Sequence, residues 1–209
     1  MANVSNPRGL VPVRYRNGSP WDGKVTPYYI AAGYASNVFI GDPIIHNSTS
    51  NTAQVQRIGG LFPAGCLADV ILATAGADNP ISGIVTGFMP LHRDSDIYGP
   101  ASTERIALVS DDVNVVFQVQ DDGSGSGLAA TDVGLNANLV AGSGGSTATG
   151  RSSWQLDATT PATTANFQVK ILGKSNIIGI ENNLGEDYIT WDVVINRSFW
   201  LAAAGSVGI

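Results

Sequence analysis

Hydrophobic and polar residues alternate with a period of two in three separate segments of the chain. In the segment DDVNVVFQVQDD, residues 111–122, one face carries Val113, Val115, Phe117 and Val119. The other face is largely polar, with Asn114, Gln118 and Gln120, and Asp pairs close both ends. Alternation of this kind is typical of a β-strand with one buried side.

The same alternation appears in ANFQVKILGK (165–174) and in YITWDVVINRSFW (188–200). The apolar positions are Phe167, Val169 and Ile171 in the first segment and Ile189, Trp191, Val193 and Ile195 in the second. We therefore predict core packing for Trp191, and also for Trp200 in the apolar tail that follows. Trp21 and Trp154 remain available to line a sugar-binding face.

Shorter apolar runs between Gly, Pro, Asn and Asp clusters predict further strands. They lie at Val11 to Arg16, Thr26 to Ile30, Asn37 to Ile40, Pro43 to Asn47, Val70 to Thr74, Ile81 to Pro90 and Glu104 to Val109. No capped amphipathic helix of three turns is present in the sequence. The pattern predicts an all-β fold, an antiparallel sandwich, jelly roll or barrel-like domain over residues 25–209, preceded by an extended N-terminal arm at 1–24.

One long segment interrupts these strands. Residues 121–153 are rich in Gly, Ser, Ala and Thr and contain no basic residue until Arg151. Unstructured loops of this length are uncommon in compact domains. We predict a protruding loop or hairpin insertion ordered by a neighbouring subunit, with a flexible surface loop without a role as the alternative.

Composition narrows the classes of function. Only 13% of the residues are charged and the net charge is −6, which disfavours general nucleic-acid binding because phosphate contacts need clustered Lys and Arg. No secretory signal precedes the first strand, and the apolar end at 199–209 is too short to cross a bilayer. We expect a protein made in a cytoplasm, with no membrane partner, in which the single Cys66 is a small buried residue.

Motifs for catalysis fail on their spacing. Gln168 stands where a phosphate-binding loop ending in GKS at 173–175 needs a Gly, and Gly99 stands where a kinase-like HRD at 92–94 needs an Asn. His46 and His92 have no second His or Cys nearby for a zinc site. We read the acidic pairs at 94/96, 111/112 and 121/122 as solvated strand ends, and expect no enzyme activity, no metal and no cofactor.

Several motifs in order resemble the capsid decoration, or cement, proteins of tailed bacteriophages. They are NPRGLVPVRYRNGSPWDGK (6–24), YYIAAGYASNVFIGDPI (28–44), ATAGADNPISGIVTGFMPL (73–91), AATDVGLNANL (129–139) and TGRSSWQLD (149–157). Each motif is turn chemistry around strands, so the match rests on their order and spacing over most of the chain.

This resemblance implies a β-rich virion structural protein on the outer surface of a bacteriophage head. Such proteins are usually homotrimers that clamp neighbouring major capsid subunits, and an N-terminal arm commonly lies on or between those subunits. Two alternatives stay open: a tail, head-fibre or neck component present in few copies, and a receptor- or glycan-binding module using exposed Trp and residues 121–153.

The N-terminal arm is the expected capsid contact. Through Lys24 the chain has four basic residues and one acidic residue, a charge of +3, which leaves −9 for the rest. The predicted contact residues are Arg8, Leu10, Val11, Val13, Arg14, Arg16 and Trp21. Buried apolar side chains contribute about 1.5–3 kcal/mol each, against about 0.2–1 kcal/mol for an exposed ion pair. The alternative is that residues 10–15 form a strand of the protein's own sheet.

Overall fold

A computed structural model describes residues 3–125, 127–176, 182–201 and 208, and this part of the chain is all-β. Its only helical element is a single 3-10 turn. In chain order the elements are β1 (Val11–Tyr15), β2 (Thr26–Ile30), β3 (Pro43–Ser50), β4 (Val55–Arg57), β5 (Gly60–Phe62), β6 (Ala68–Leu72), β7 (Gly83–Met89), β8 (Arg105–Ser110), β9 (Val115–Gln120), the 3-10 turn (Ala130–Asp132), β10 (Asn136–Ala137), β11 (Leu139–Val140), β12 (Gln155–Leu156), β13 (Val169–Lys174) and β14 (Thr190–Ile195).

Strands from the first half of the chain form a closed barrel in the order β2, β6, β3, β7, β8. The β2–β6 pair is parallel and the other four pairs are antiparallel. Apolar side chains fill the inside because alternate residues of each strand point inward. This cluster contains Tyr28, Ile30, Val38, Ile44, Val70, Val85, Ala107 and Val109. The β4–β5 hairpin is an excursion between β3 and β6.

Strands from both ends of the chain form an antiparallel sheet in the order β1, β9, β14, β13, β10. The three segments of period two supply its central strands, and their apolar face is the main core, which confirms the predicted alternation. Trp191 and Phe117 are the largest fully buried side chains there. The barrel adds Ala73, Ile81 and Ile84 to the same core, so barrel and sheet are packed against each other.

Two of the shorter predictions, a strand at Asn37 to Ile40 and a buried Cys66, differ from the structure. The run Asn37 to Ile40 forms only isolated bridges, Val38 with Gly99 and Ile40 with Arg151, because its neighbours are loops rather than strands. Cys66 is exposed, since it lies in the turn between β5 and β6 instead of on an inward-facing position.

Residues 121–153 do not protrude as a whole, so the predicted loop insertion is wrong for its middle part. Leu128, Ala137 and Leu139 are buried in the main core. β10 pairs with β13, and β11 pairs with β12. This segment has only a few apolar residues among many Gly and Ser. Their burial in the main core is enough to hold the segment against the sheet.

Asp121 is also buried, which corrects its assignment as a solvated strand end. One carboxylate oxygen accepts a hydrogen bond from the indole nitrogen of Trp191 at 3.2 Å, and the other accepts one from the backbone N–H of Gly123 at 3.2 Å. Burial raises the pKa of Asp121 above its ordinary value. The side chain therefore joins the end of β9 to the central strand β14.

Three backbone segments cross at Gly9, Gly41 and Ser152. The N–H of Leu10 donates to Gly41 O at 3.0 Å, and the N–H of Gly41 donates to Val85 O at 2.7 Å. Gly9 and Gly41 both have positive φ, +67° and +97°. A Cβ on Gly9 would clash with Gly41 O and would lie 2.6 Å from the Cβ of Ser152. Glycine is required at this crossing for both its conformation and its size.

Asp42 lies beside this crossing with only 2% of its surface exposed. Its carboxylate accepts a hydrogen bond from the backbone N–H of Phe39 at 2.7 Å and is hydrogen bonded to the Ser152 hydroxyl. Burial outweighs these bonds and raises the pKa of Asp42 to about 6. The carboxylate holds the loop before β3 to the segment before β12.

Substituting Gly9→Ala should destabilise the protein by about 2–5 kcal/mol, because left-handed backbone costs about 1–2 kcal/mol and overpacking about 1–3 kcal/mol. The matched control is Gly23→Ala, where φ is +80° and nothing lies within 4 Å of the added Cβ. The control variant should lose only the about 1–2 kcal/mol of stability that the left-handed backbone costs. Free energies of unfolding from urea denaturation measure both, and equal losses would contradict a tight crossing.

Stability should also depend on the protonation of Asp42. Its folded-state pKa of about 6 lies above the ordinary 3.8, so between these values the folded chain holds a proton that the unfolded chain has lost. Stability from this group is therefore highest at low pH and falls by about 3 kcal/mol as the pH rises through this window.

Urea denaturation at several pH values from about 4 to 8 measures this dependence. Asp42→Asn keeps an acceptor for the Phe39 N–H and cannot ionise, so the difference between wild type and variant isolates Asp42. We expect the variant to gain stability relative to wild type as the pH rises. A difference that does not change with pH would contradict the assignment.

Candidate functional site

The structure places most of the predicted N-terminal arm inside the domain. Leu10 is 1% exposed and belongs to the main core, so it is not available as a capsid contact. β1 pairs antiparallel with β9, and its Val11 and Val13 are half-buried. Trp21 packs against the same core, and its backbone N–H donates to Val13 O at 3.2 Å. Val11–Tyr15 thus form a strand of the protein's own sheet, with Leu10 buried directly before it.

The basic residues of this segment fall into two groups. Arg14 forms an ion pair with Asp192 of β14 at 3.1 Å and is half-buried. Arg8 is half-buried and Arg16 is exposed, and neither forms an ion pair within the described part of the chain. Arg8 and Arg16 are therefore the predicted contact residues that keep their charge free for a partner.

Residues 3–8, here called the strap, lie before the crossing and contact the body through polar atoms. The Asn3 side chain donates to Asn183 O at 3.0 Å and accepts from the Asn183 N–H at 2.9 Å. The Gln120 side chain accepts from the N–H of Asn6 at 2.7 Å and donates to Val4 O at 2.9 Å. The Val4 side chain is 75% exposed.

The free energy of its hydrogen bonds, set against the entropy cost of ordering its backbone, indicates that the strap is weakly held. Each of these hydrogen bonds contributes about 0.5–1.5 kcal/mol, while fixing a backbone residue costs about 1–2 kcal/mol. No large apolar side chain of the strap is buried to offset that cost. Leu10, two residues after the strap, is buried completely, so the change from weakly held to firmly held chain falls at Gly9.

An aromatic cluster joins half-buried His46 of β3 to exposed Phe199 and Trp200, which follow β14. The rings of His46 and Phe199 stack with centroids 5.5 Å apart, and Trp200 meets Phe199 edge-on at 5.2 Å. Trp200 is 48% exposed, which corrects its predicted place in the core. The alternation stops at the end of β14, so Trp200 does not continue the buried face of Trp191.

Local hydrogen bonds hold this cluster in one orientation. The indole N–H of Trp200 donates to Ser82 O at 3.1 Å, and the backbone N–H of Phe199 donates to Ile81 O at 3.0 Å. The Nδ1 atom of His46 accepts from the Ser48 N–H at 2.9 Å. Leu201 beside the cluster is also exposed. The result is an apolar surface held in one orientation, in which Phe199, Trp200 and Leu201 are 41%, 48% and 54% exposed.

A second apolar surface lies at the β4–β5 hairpin. Ile58 and Leu61 of the hairpin are each 54% exposed, and Leu91 after β7 is exposed as well. The N–H of Ile58 donates to Pro90 O at 3.0 Å, which joins the hairpin to that segment. Sequence periodicity did not find this surface because strands of three residues are too short to show alternation.

A polar groove of about 360 Å³ separates the strap from the segment before β12. Asn6 and Pro7 form one wall, and the other is made by residues 143–146, 149 and 151–153, with Arg151 as the charged member. The strap is therefore part of the boundary of this groove.

The titratable side chains of the described residues form no metal site. No group of three or more His, Cys, Asp or Glu side chains there could hold a metal ion. Asp42 and Asp121, the two carboxylates whose pKa is raised, are both tied to backbone and side-chain donors of the fold. In the same part of the chain, no helix has the length and apolar character needed to span a bilayer.

Comparison with protein families, with curated proteins and with solved structures found no match to this chain. The proposals below therefore rest on the surfaces just described and on the resemblance of the sequence motifs.

Two truncations should separate the strap from the part of the arm that belongs to the fold. Deleting residues 2–8 should leave cooperative unfolding intact and lower the midpoint by a few degrees at most. Deleting residues 2–20 should abolish the folded state, because it removes β1 and Leu10, and losing a buried Leu alone costs about 2–5 kcal/mol. Circular dichroism and thermal melting measure both. A folded, cooperative 2–20 deletion would show that β1 is dispensable.

Proposed function

We propose that this protein is a virion structural protein that binds the outer surface of a bacteriophage head and clamps neighbouring major capsid subunits. The observation that carries the proposal is the rigid, exposed aromatic cluster of His46, Phe199 and Trp200. Large aromatic residues held in one orientation are typical anchors of protein interfaces, because little conformational entropy is lost when they are buried.

The distribution of charge supports a protein surface as the partner. Arg8 and Arg16 are two of the described basic side chains without an ion pair, and both lie in the N-terminal segment, away from the aromatic cluster in sequence. Charges at the rim of an interface set orientation and association rate, whereas buried apolar side chains set affinity. We assign affinity to the aromatic cluster and the β4–β5 hairpin, and orientation to Arg8 and Arg16.

Homotrimer formation is part of the proposal because it follows from the resemblance and strengthens attachment. A protein with several copies of one weak contact binds a repeating surface at high effective concentration once the first copy has docked. A capsid offers such a repeating surface. Light scattering of the purified protein tests the number of subunits in solution.

The alternative with structural support is a glycan-binding module. A half-exposed indole beside an imidazole is a surface on which a sugar ring can stack. Glycan arrays and saturation-transfer measurements test it. Binding of a sugar that is lost in Trp200→Ala, together with no binding to heads, would replace the proposal by this alternative.

Added to heads that lack it, the purified protein should bind in many copies and raise the thermal survival of the particles. Trp200→Ala should weaken binding by roughly 30-fold or more, the loss expected when an interface anchor of about 2 kcal/mol is removed. Leu184→Ala is the matched control, because Leu184 is similarly exposed and lies outside the cluster. Copy number on purified particles and affinity from sedimentation are the measurements.

Binding at one vertex only would favour a neck or tail component. No binding to heads would overturn the proposal, and equal affinities of the Trp200→Ala and Leu184→Ala variants would show that the aromatic cluster is not the contact.

A further inference from the structure

Gln120 is placed to recognise backbone rather than side chains. Its amide nitrogen donates to Val4 O and to Tyr188 O, both at 2.9 Å, and its amide oxygen accepts from the Asn6 N–H at 2.7 Å. Both amide protons and the oxygen are thus used. One side chain at the end of β9 joins the strap to the segment before β14.

The strap ends where the tight packing begins. On one side of Gly9 its six residues are half-buried or exposed, and on the other side Leu10 is buried and bonded to Gly41 O. Gly9 itself is fixed by the crossing, so opening of the strap stops there. The reciprocal pair of Asn3 and Asn183 is the second attachment, and both of its residues lie near the molecular surface.

We propose that residues 3–8 are a releasable strap for which Gln120 is the clasp, and that release supplies an extended segment to a neighbouring capsid subunit. The second half of this inference rests on the proposed function, since it adds the released strap to the contacts with the capsid proposed above. Release also removes the wall that Asn6 and Pro7 form and opens the groove beside Arg151.

Because Gln120 holds the strap on the body, we expect its release to depend on a partner. In the free protein the backbone of Val4 and Asn6 is satisfied by Gln120, and a partner must offer replacement hydrogen bonds to hold the segment in its extended form. A partner that binds only the released strap shifts the population toward the released form. Its apparent affinity for the protein is lower than its affinity for the released form, because only part of the protein has the Gln120 hydrogen bonds open.

Residue-resolved hydrogen exchange of the full chain tests the clasp directly. In Gln120→Ala the amide of Asn6 should exchange about tenfold faster or more, because its acceptor is removed, while the amide of Leu10 should not change. Gln155→Ala is the matched control, since Gln155 donates to Asp121 O and does not contact the strap. In this control the Asn6 and Leu10 amides should both exchange as in the wild type.

Association with heads tests the second half. Gln120→Ala should associate several-fold faster than wild type, because the released fraction is larger, and deletion of residues 2–8 should dissociate faster than wild type. If the amides of Asn6 and Leu10 both exchanged faster in Gln120→Ala, or if neither did, the proposal that Gln120 holds the strap would be wrong. An unchanged association rate despite faster Asn6 exchange would overturn its link to attachment. If wild type does not bind heads at all, the proposed function fails, and the exchange result decides the clasp separately.

Discussion

The backbone crossing at Gly9, Gly41 and Ser152 is the constraint on which the rest of the molecule depends. It brings together the chain before β1, the loop before β3 and the segment before β12, which belong to the sheet, the barrel and the long connection after β9. A side chain larger than hydrogen on either glycine would separate them. Leu10, the residue after Gly9, belongs to the core that barrel and sheet share, so the crossing lies directly beside that core.

The strap and the aromatic cluster both lie at the surface, outside the part of the domain that the crossing fixes. The strap lies outside the crossing, is held by amide side chains and contributes no side chain to the hydrophobic core. The aromatic cluster is the opposite case, exposed but held by bonds to Ser82 and Ile81. In the attachment proposed above, the aromatic cluster would provide affinity at low entropy cost and the released strap would provide reach.

Periodicity predicted the strands that have one apolar face, such as those of Phe117 and Trp191, because burial on one side imposes alternation. It could not place Trp200 or Leu139. Trp200 follows a strand without belonging to it, and Leu139 lies in a short apolar stretch of a Gly- and Ser-rich segment whose partner surface is distant in sequence. Leu10 looked like a contact residue for the same reason, since its core neighbours come from the other end of the chain.

The crossing is tested most directly by hydrogen exchange of the amides that close it, those of Leu10, Gly41 and Ser152. If barrel and sheet depend on this crossing, the three amides exchange only through global unfolding, with one common free energy equal to that from denaturation. Exchange of any of the three at a clearly lower free energy, while the amides of β9 and β14 stay protected, would show that the crossing opens without unfolding the domain and would contradict the account.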